Sequence, residues 1–446
     1  MARKKLKLNK KIELHQSPLK NLSADLNGDG RNDFIFQEYT KNNSGSNQLF
    51  FYKQKASGRL KHIKLFSPSD RPVDATIKSA DINGDGIKDV VIFDYGYKFN
   101  NYHSFTGIEP ILLLGREKKK PTRSKQLVQA YQKHYKDPPD WYESFFDREM
   151  DNRVAAKDFS FGDIDSDGDL DIWVESTGGV NLTNHFLINN GGSFVVDQTR
   201  IPQKLNTGPK TDDYFRYHRS MLADVNGDGS EDLVLGQLRD GHAGKASQSS
   251  YVLLNNGKGF FDQKIRLPRP KFNKGFTMAR SITVADFNGD ELDDIIIAHT
   301  RIGSPVNGMK FNPVTGNFFQ ALIQDKNGKF KDFSKDFFGK QKSWSSNKKS
   351  NINLVDNINA RDVNEDGLND LIINYRSSRL NQDRNPTLLV NQEGIKFEPS
   401  FLSDGARGSR HKNYFWDNNG LKGSGTLEGW SLSENHIHIA KEIGNL

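Results

Sequence analysis

The 446-residue chain has no cysteine, which excludes disulfides and any Cys-ligated zinc. It has no apolar run of membrane-spanning length. Its opening, MARKKLKLNKKIEL, is basic but lacks the apolar core of a secretory signal. Hydrophobic residues make up only 35% of the chain, while 39 glycines suit a structure of short strands and turns. There is no P-loop, GxSxG elbow, HExxH zinc helix or Rossmann turn. A net charge of +7 would by itself admit nucleic acid as a partner, yet no RNA- or DNA-binding module signature accompanies it.

What the chain has instead is acid set beside apolar strands. In GDIDSDGDLDIWV, residues 162 to 174, five aspartates occupy alternate positions and an apolar run follows at once. Carboxylates this close repel one another unless a cation neutralises them. Ca²⁺ takes six to eight oxygen ligands, and a loop with acidic or amide side chains at positions 1, 3 and 5, a backbone carbonyl at 7 and a carboxylate beyond can wrap it. The pattern occurs six times. Taking positions 1, 3, 5, 7 and 9 in turn, the candidate ligands are Asp25, Asn27, Asp29, Arg31 and Asp33 in DLNGDGRND, then Asp81, Asn83, Asp85, Ile87 and Asp89 in DINGDGIKD. They continue with Asp163, Asp165, Asp167, Asp169 and Asp171 in DIDSDGDLD, and Asp224, Asn226, Asp228, Ser230 and Asp232 in DVNGDGSED. The last two sets are Asp286, Asn288, Asp290, Leu292 and Asp294 in DFNGDELDD, and Asp362, Asn364, Asp366, Leu368 and Asp370 in DVNEDGLND. An EF-hand is excluded, because position 12 falls inside the following strand, as Phe36 does in the first copy. Glu291 stands where the other copies have Gly, and a non-Gly residue with positive φ is costly, so the Asp286 loop is expected to be the weakest or most distorted.

Each acidic loop runs into a short apolar strand (FIF, VVIF, IWV, LVL, IIIA, LIIN). Further on come strands leading into Gly/Asn turns, as in FLINNGGSF, YVLLNNGKGF, ALIQDKNGKF and TLLVNQEGIKF, which read as hairpins. Four strands repeated at tens of residues are the pattern of a β-propeller blade. These residues resemble the calcium-binding FG-GAP or VCBS-type repeats, found in integrin α-subunit propellers and in many secreted bacterial proteins, through most of the chain. The resemblance implies a fold and a metal, and leaves activity open among adhesins, lectins, scaffolds and occasional enzymes.

The expected fold is therefore all-β: one seven-bladed β-propeller spanning residues 1–446, with up to six structural Ca²⁺ ions. The steps between first aspartates are 56, 82, 61, 62 and 76 residues, and the closing step is 109, room for one further blade. That blade would comprise about 410–446 plus 1–16, with FWDNNGLKG (415–423) as a degenerate acidic turn and LKLNKKIEL as its outermost strand. Six blades with one long insertion is the alternative. An insertion over 117–153, between blades 2 and 3, is expected to carry a short helix in SKQLVQAYQKHYK.

Function is expected on the face opposite the acidic turns, where the long connections fall (94–110, 117–153, 200–218, 236–250, 298–317, 334–353, 374–386). They bring Trp141, Tyr142, Tyr214, Arg216, Arg239, His242, Trp344, Tyr375, Arg376, Arg379 and Arg384. The six loops hold 24 of the 56 acidic residues but two of the 63 basic ones, leaving 61 basic against 32 acidic elsewhere. An anionic polysaccharide, glycoconjugate or extracellular protein fits that balance, with arginines pairing carboxylate or sulfate. A second reading is a polysaccharide lyase, with His218, Tyr217, Arg219, His299 and Arg301 as catalytic candidates. A third is a virion or cell-surface structural protein. His436 and His438 share a face of a predicted strand and are read as ordinary closing-blade positions. Loops with so few charged ligands bind Ca²⁺ in the extracellular millimolar range, so an extracellular or cell-surface setting is expected.

Overall fold

A computed structural model describes residues 21–39, 47–57, 60–66, 75–94, 108–134, 154–176, 184–202, 217–237, 249–271, 277–301, 317–339, 341, 355–375, 388–400, 415–417 and 420–422. It is all-β, with six four-stranded antiparallel sheets, each in simple sequence order. The first holds β1 (Asn21–Ala24), β2 (Asp33–Tyr39), β3 (Asn47–Gln54) and β4 (Leu60–Phe66); the second β5 (Thr76–Ala80), β6 (Asp89–Phe93), β7 (Ile111–Leu114) and β8 (Thr122–Ser124). The third holds β9 (Ala156–Gly162), β10 (Asp171–Ser176), β11 (His185–Asn190) and β12 (Ser193–Asp197); the fourth β13 (Tyr217–Ala223), β14 (Asp232–Gln237), β15 (Tyr251–Leu254) and β16 (Gln263–Arg266). The fifth holds β17 (Thr277–Ala285), β18 (Asp294–Arg301), β19 (Asn317–Gln324) and β20 (Phe330–Asp332); the sixth β21 (Val355–Arg361), β22 (Asp370–Tyr375), β23 (Leu388–Gln392) and β24 (Lys396–Ser400).

The second strand of each sheet is apolar without alternation because both of its faces are covered. In β6, Val90 and Ile92 pack toward the first sheet while Val91 and Phe93 pack toward the third. In β10, Ile172 and Val174 face back and Trp173 faces forward. In β18, Ile295 and Ile297 meet the fourth sheet, and Ile296 and Ala298 the sixth. Five core clusters thus fill the five joints between six successive sheets. The first strands meet through polar bonds. Ser160 Oγ donates to Ser220 O at 3.3 Å, Arg219 Nε to Arg280 O at 2.9 Å, and Ile358 N to Ser281 Oγ at 3.0 Å.

Helix α1 (Gln126–His134) buries Leu127, Val128, Ala130 and Tyr131, and Tyr131 Oη lies 2.8 Å from His185 Nε2 of β11. A shorter helix, α2 (Ser334–Phe338), follows β20. One expectation needs correction: residues 122–124 are not insertion but β8, the edge partner of β7, so the connection to the third sheet begins after Ser124. In the stretch expected as a degenerate acidic turn, β25 (Phe415–Asp417) pairs β26 (Gly420–Lys422), with Asp417 opposite Gly420. The other residues expected in a seventh sheet, including His436, His438 and LKLNKKIEL, lie outside the described residues.

Candidate functional site

The six acidic loops join strands one and two of each sheet, and a common hydrogen-bond frame holds them. An aspartate at position 1 accepts the N–H of position 6 at 2.7–3.0 Å in every copy, from Gly30, Gly86, Gly168, Gly229, Glu291 and Gly367. Its second oxygen accepts the N–H of position 5. The position-5 aspartate accepts the N–H of position 7. These side-chain bonds replace the main-chain partners that a tight turn cannot supply. Glu291 does adopt the costly left-handed conformation, φ 67°, yet keeps its bond to Asp286. Ser166 and Glu365 at position 4 carry the same strain, φ 60° and 63°, so it is not peculiar to the Asp286 loop.

Position 9 has a second job. Asp33, Asp89, Asp171, Asp232, Asp294 and Asp370 are all fully buried. Each accepts the N–H of the residue at the end of strand three or just beyond it, from Gln54, Gly115, Asn189, Asn255, Gln324 and Asn391 at 2.7–3.0 Å. Five of them also accept the N–H of position 2. Burial pushes the carboxyls of Asp33, Asp89 and Asp232 up to about 6 and those of Asp171 and Asp294 up to about 7. Burial also raises Asp370. Carboxylate oxygens of Asp163, Asp165 and Asp171 lie within 4.8 Å of one another, so position 9 converges with positions 1 and 3. An all-oxygen donor set of this kind suits a hard divalent cation.

Sequence reasoning missed the amides beside these aspartates. Asn189 Nδ2 donates to Ile82 O of the preceding loop at 3.0 Å and to Leu170 O of its own at 3.2 Å. Asn255, Gln324 and Asn391 repeat the reach to Ile164 O, Val225 O and Phe287 O at 2.7–2.9 Å. At the remaining described joint there is no room for a side chain, since a Cβ on Gly115 would meet Lys88 O at 2.5 Å. There the main chain serves: Arg116 N donates to Leu26 O at 3.2 Å. The signal in the sequence is the Asn or Gln at the end of the third strand in five of the six sheets, which the Gly/Asn turn reading covers only as turn chemistry.

Of the catalytic candidates, His299 and Arg219 have described side chains, and each is engaged within the sheets. His299 is fully buried on β18, stacked on Phe318 at 4.9 Å. Its Nδ1 meets Thr277 Oγ1 and its Nε2 meets Gln320 Oε1, each at 3.1 Å. Burial lowers its pKa to about 4. It is a neutral core histidine, and its placement in a solvent-facing constellation is corrected. Arg219 lies on β13 and spends its Nε on the main chain of the next sheet, with Asp158 Oδ2 at 4.0 Å. Tyr217 and His218 sit on β13 and Arg301 on β18; their side chains, and all of Trp141, Tyr142, Tyr214, Arg216, Arg239, His242, Trp344, Arg376, Arg379 and Arg384, lie outside the described residues. Tyr375 ends β22 rather than lying in a connection.

A search of curated proteins found no match. Among solved structures, the V. cholerae biofilm matrix protein Bap1 is 16% identical over 70% of this chain and 38% of its own, with a TM-score of 0.29. A Bacteroides ovatus glycosyl hydrolase is 9% identical over 81% of each chain, TM-score 0.31. A B. megaterium levansucrase is 12% identical over 71% of this chain and 82% of its own, TM-score 0.28. The chain thus spans well under half of the matrix protein, and at these scores the likenesses carry no argument. The FG-GAP-like repeat family, by contrast, matches residues 25–92 and 224–297, each stretch opening at the first aspartate of an acidic loop and ending in a strand two. These stretches hold four of the six loops, and the same loop frame recurs at Asp163 and Asp362 in the other two sheets, so the chain carries FG-GAP/VCBS-type repeats.

Proposed function

We propose that the six sheets are blades of a closed seven-bladed β-propeller, that Ca²⁺ binds its acidic loops structurally, and that it is a binding module for an acidic polysaccharide or glycoconjugate. The ion would be held by the side chains at positions 1, 3, 5 and 9 and the carbonyl at 7, and would supply the positive charge those oxygens lack. It would pin the turn between strands one and two and favour the ionised form of the buried position-9 aspartate. The closed ligand set gives it no role in chemistry.

The observation that carries the reading is the separation of charge. Acid is concentrated in turns at one end of the sheets, and the rest of the chain holds 61 basic residues against 32 acidic ones. The connections between strands two and three, and between successive sheets, emerge at the opposite end, as antiparallel order requires. An anionic polymer meeting that end would be drawn by long-range attraction and fixed by arginine pairing. An extracellular or cell-surface setting accords with millimolar calcium, and no helix among the described residues is long and apolar enough to cross a membrane.

Calorimetry of the calcium-loaded protein with polyuronate, sulfated polysaccharide and neutral dextran tests this. Salt-sensitive binding to the charged polymers, none to dextran, and no rise in ultraviolet absorbance from an unsaturated uronate is the expected result. Equal binding to dextran, or binding to none, would overturn the ligand assignment; a rising absorbance would make the protein a lyase.

A further inference from the structure

The loop that begins at Asp25 differs from the others in what stands on its oxygens. Lys53 Nζ donates to Asn27 Oδ1 at 3.0 Å and lies 3.3 Å from Asp29 Oδ2. Arg31 Nη2 donates to the same Asp29 oxygen at 2.7 Å. Asn27 turns its Nδ2 to Asp33 Oδ2, whereas in four other loops the position-3 amide donates to position 5, at 2.8–3.1 Å. Asn27 is fully buried, while Asn83, Asn226 and Asn364 are exposed. Positions 3, 5 and 9 of this loop therefore already have protein donors.

The origin of Lys53 is visible in the repeat. It immediately precedes Gln54, whose N–H meets the position-9 aspartate. The residues at the matching place in the other five sheets are Leu114, Ile188, Leu254, Ile323 and Val390. An aliphatic position has become a lysine in one sheet alone, and its ammonium reaches the loop. Together with Arg31 it brings two positive charges, the charge of one Ca²⁺ ion. The Asp163 loop is the instructive contrast. Arg200 Nη2 lies 3.4 Å from Asp165 Oδ2, but its Nε is held by Asp197 outside the loop at 2.8 Å, the loop carries five aspartates, and the oxygens of Asp163, Asp165 and Asp171 still converge.

We infer that Lys53, with Arg31, is a built-in counter-ion that takes the place of the metal in the Asp25 loop, so that this loop folds without Ca²⁺ and the acidic loops of the chain bind five ions rather than six. The inference rests on the calcium reading for the other loops. A fixed ammonium cannot be chelated or diluted away, so the first sheet keeps its turn in calcium-poor surroundings where the others loosen.

The test compares the full chain with Lys53→Met and Lys53→Arg, using calcium alone as the probe. Native mass spectrometry at saturating calcium counts ions, and melting in chelator reports the loop. Lys53→Met is expected to take up one more calcium than the parent and to melt lower than the parent in chelator, with calcium closing the gap; Lys53→Arg should behave as the parent. Asp25→Asn, made separately, should leave the parent's ion count unchanged. Loss of one ion in Asp25→Asn, or equal counts in a calcium-loading parent and Lys53→Met, would overturn the role of Lys53 while leaving the calcium reading intact. If no variant loads calcium but Lys53→Met still melts lower in chelator, the calcium reading fails and the counter-ion role stands.

Discussion

Asp171 shows how one carboxyl ties acidity to stability. It is fully buried, accepts N–H bonds from Ile164 and Asn189 at 3.3 and 2.7 Å, and has its pKa pushed up by burial from 3.8 to about 7. The folded, metal-free protein holds that proton more tightly than the unfolded chain, so the stability it contributes is full below 3.8 and is lost as pH rises through about 7. Asp294 acts in the same direction and window, with Asp33, Asp89 and Asp232 losing theirs through about 6. In chelator the melting temperature should therefore fall as pH rises through this range; saturating calcium, which favours the ionised form, should remove the fall. Thermal scans with and without calcium check it, and parallel pH profiles would count against metal at these loops. Asp167→Ala is expected to weaken calcium uptake by the third loop and reduce the gain in melting temperature on adding calcium, with no change in polysaccharide binding. At this scale the sequence was legible wherever a residue recurs: thirty loop positions follow from spacing. It was opaque where a side chain's meaning depends on its surroundings. His299 beside Arg301 reads as chemistry until Thr277, Gln320 and Phe318 are seen around it, and Lys53 reads as an ordinary strand lysine.

Strands two were legible because covering both faces abolishes alternation and leaves an unbroken apolar run. Trp173, with 0% exposure, 4.9 Å from the Phe186 ring and donating to Ser220 Oγ at 2.8 Å, is one such residue. Trp173→Ala should cost about 3–5 kcal/mol, measurable by denaturant unfolding. The joints between sheets were not legible, since they depend on which carbonyl an amide reaches. Asn189→Ala leaves Ile82 O and Leu170 O without their side-chain donor and should destabilise by about 2–4 kcal/mol. Asn189→Gln should recover part of this, because Gln324 makes the same reach at 2.9 Å. Full stability in Asn189→Ala would remove the amides from the account of how sheets join. The edge strand β8 was misread for a simple reason: it is three residues long, too short for periodicity to declare itself.

For the whole molecule, the test is closure. A compact ring of 446 residues should have a radius of gyration of about 22 Å, and an open arc of six sheets would exceed it in solution scattering. Gln54 bears on the same question. It is 6% exposed and holds the register of Asn189, Asn255 and Asn391, but its Oε1 has no partner among the described residues. A seventh sheet, packed against the first, would provide its surroundings, and Gln54→Ala should then destabilise as Asn189→Ala does. The joint itself follows one rule at all five described places: the carbonyl of loop position 2 receives one donor from the next sheet, whether amide or main chain. Such a joint works like a tile with one tongue and one groove. A gene that duplicates or drops a single repeat presents the same two edges to its neighbours, so the count of tiles is free to drift while the joint stays the same, and the angle between adjacent tiles would decide whether, and at what count, they close.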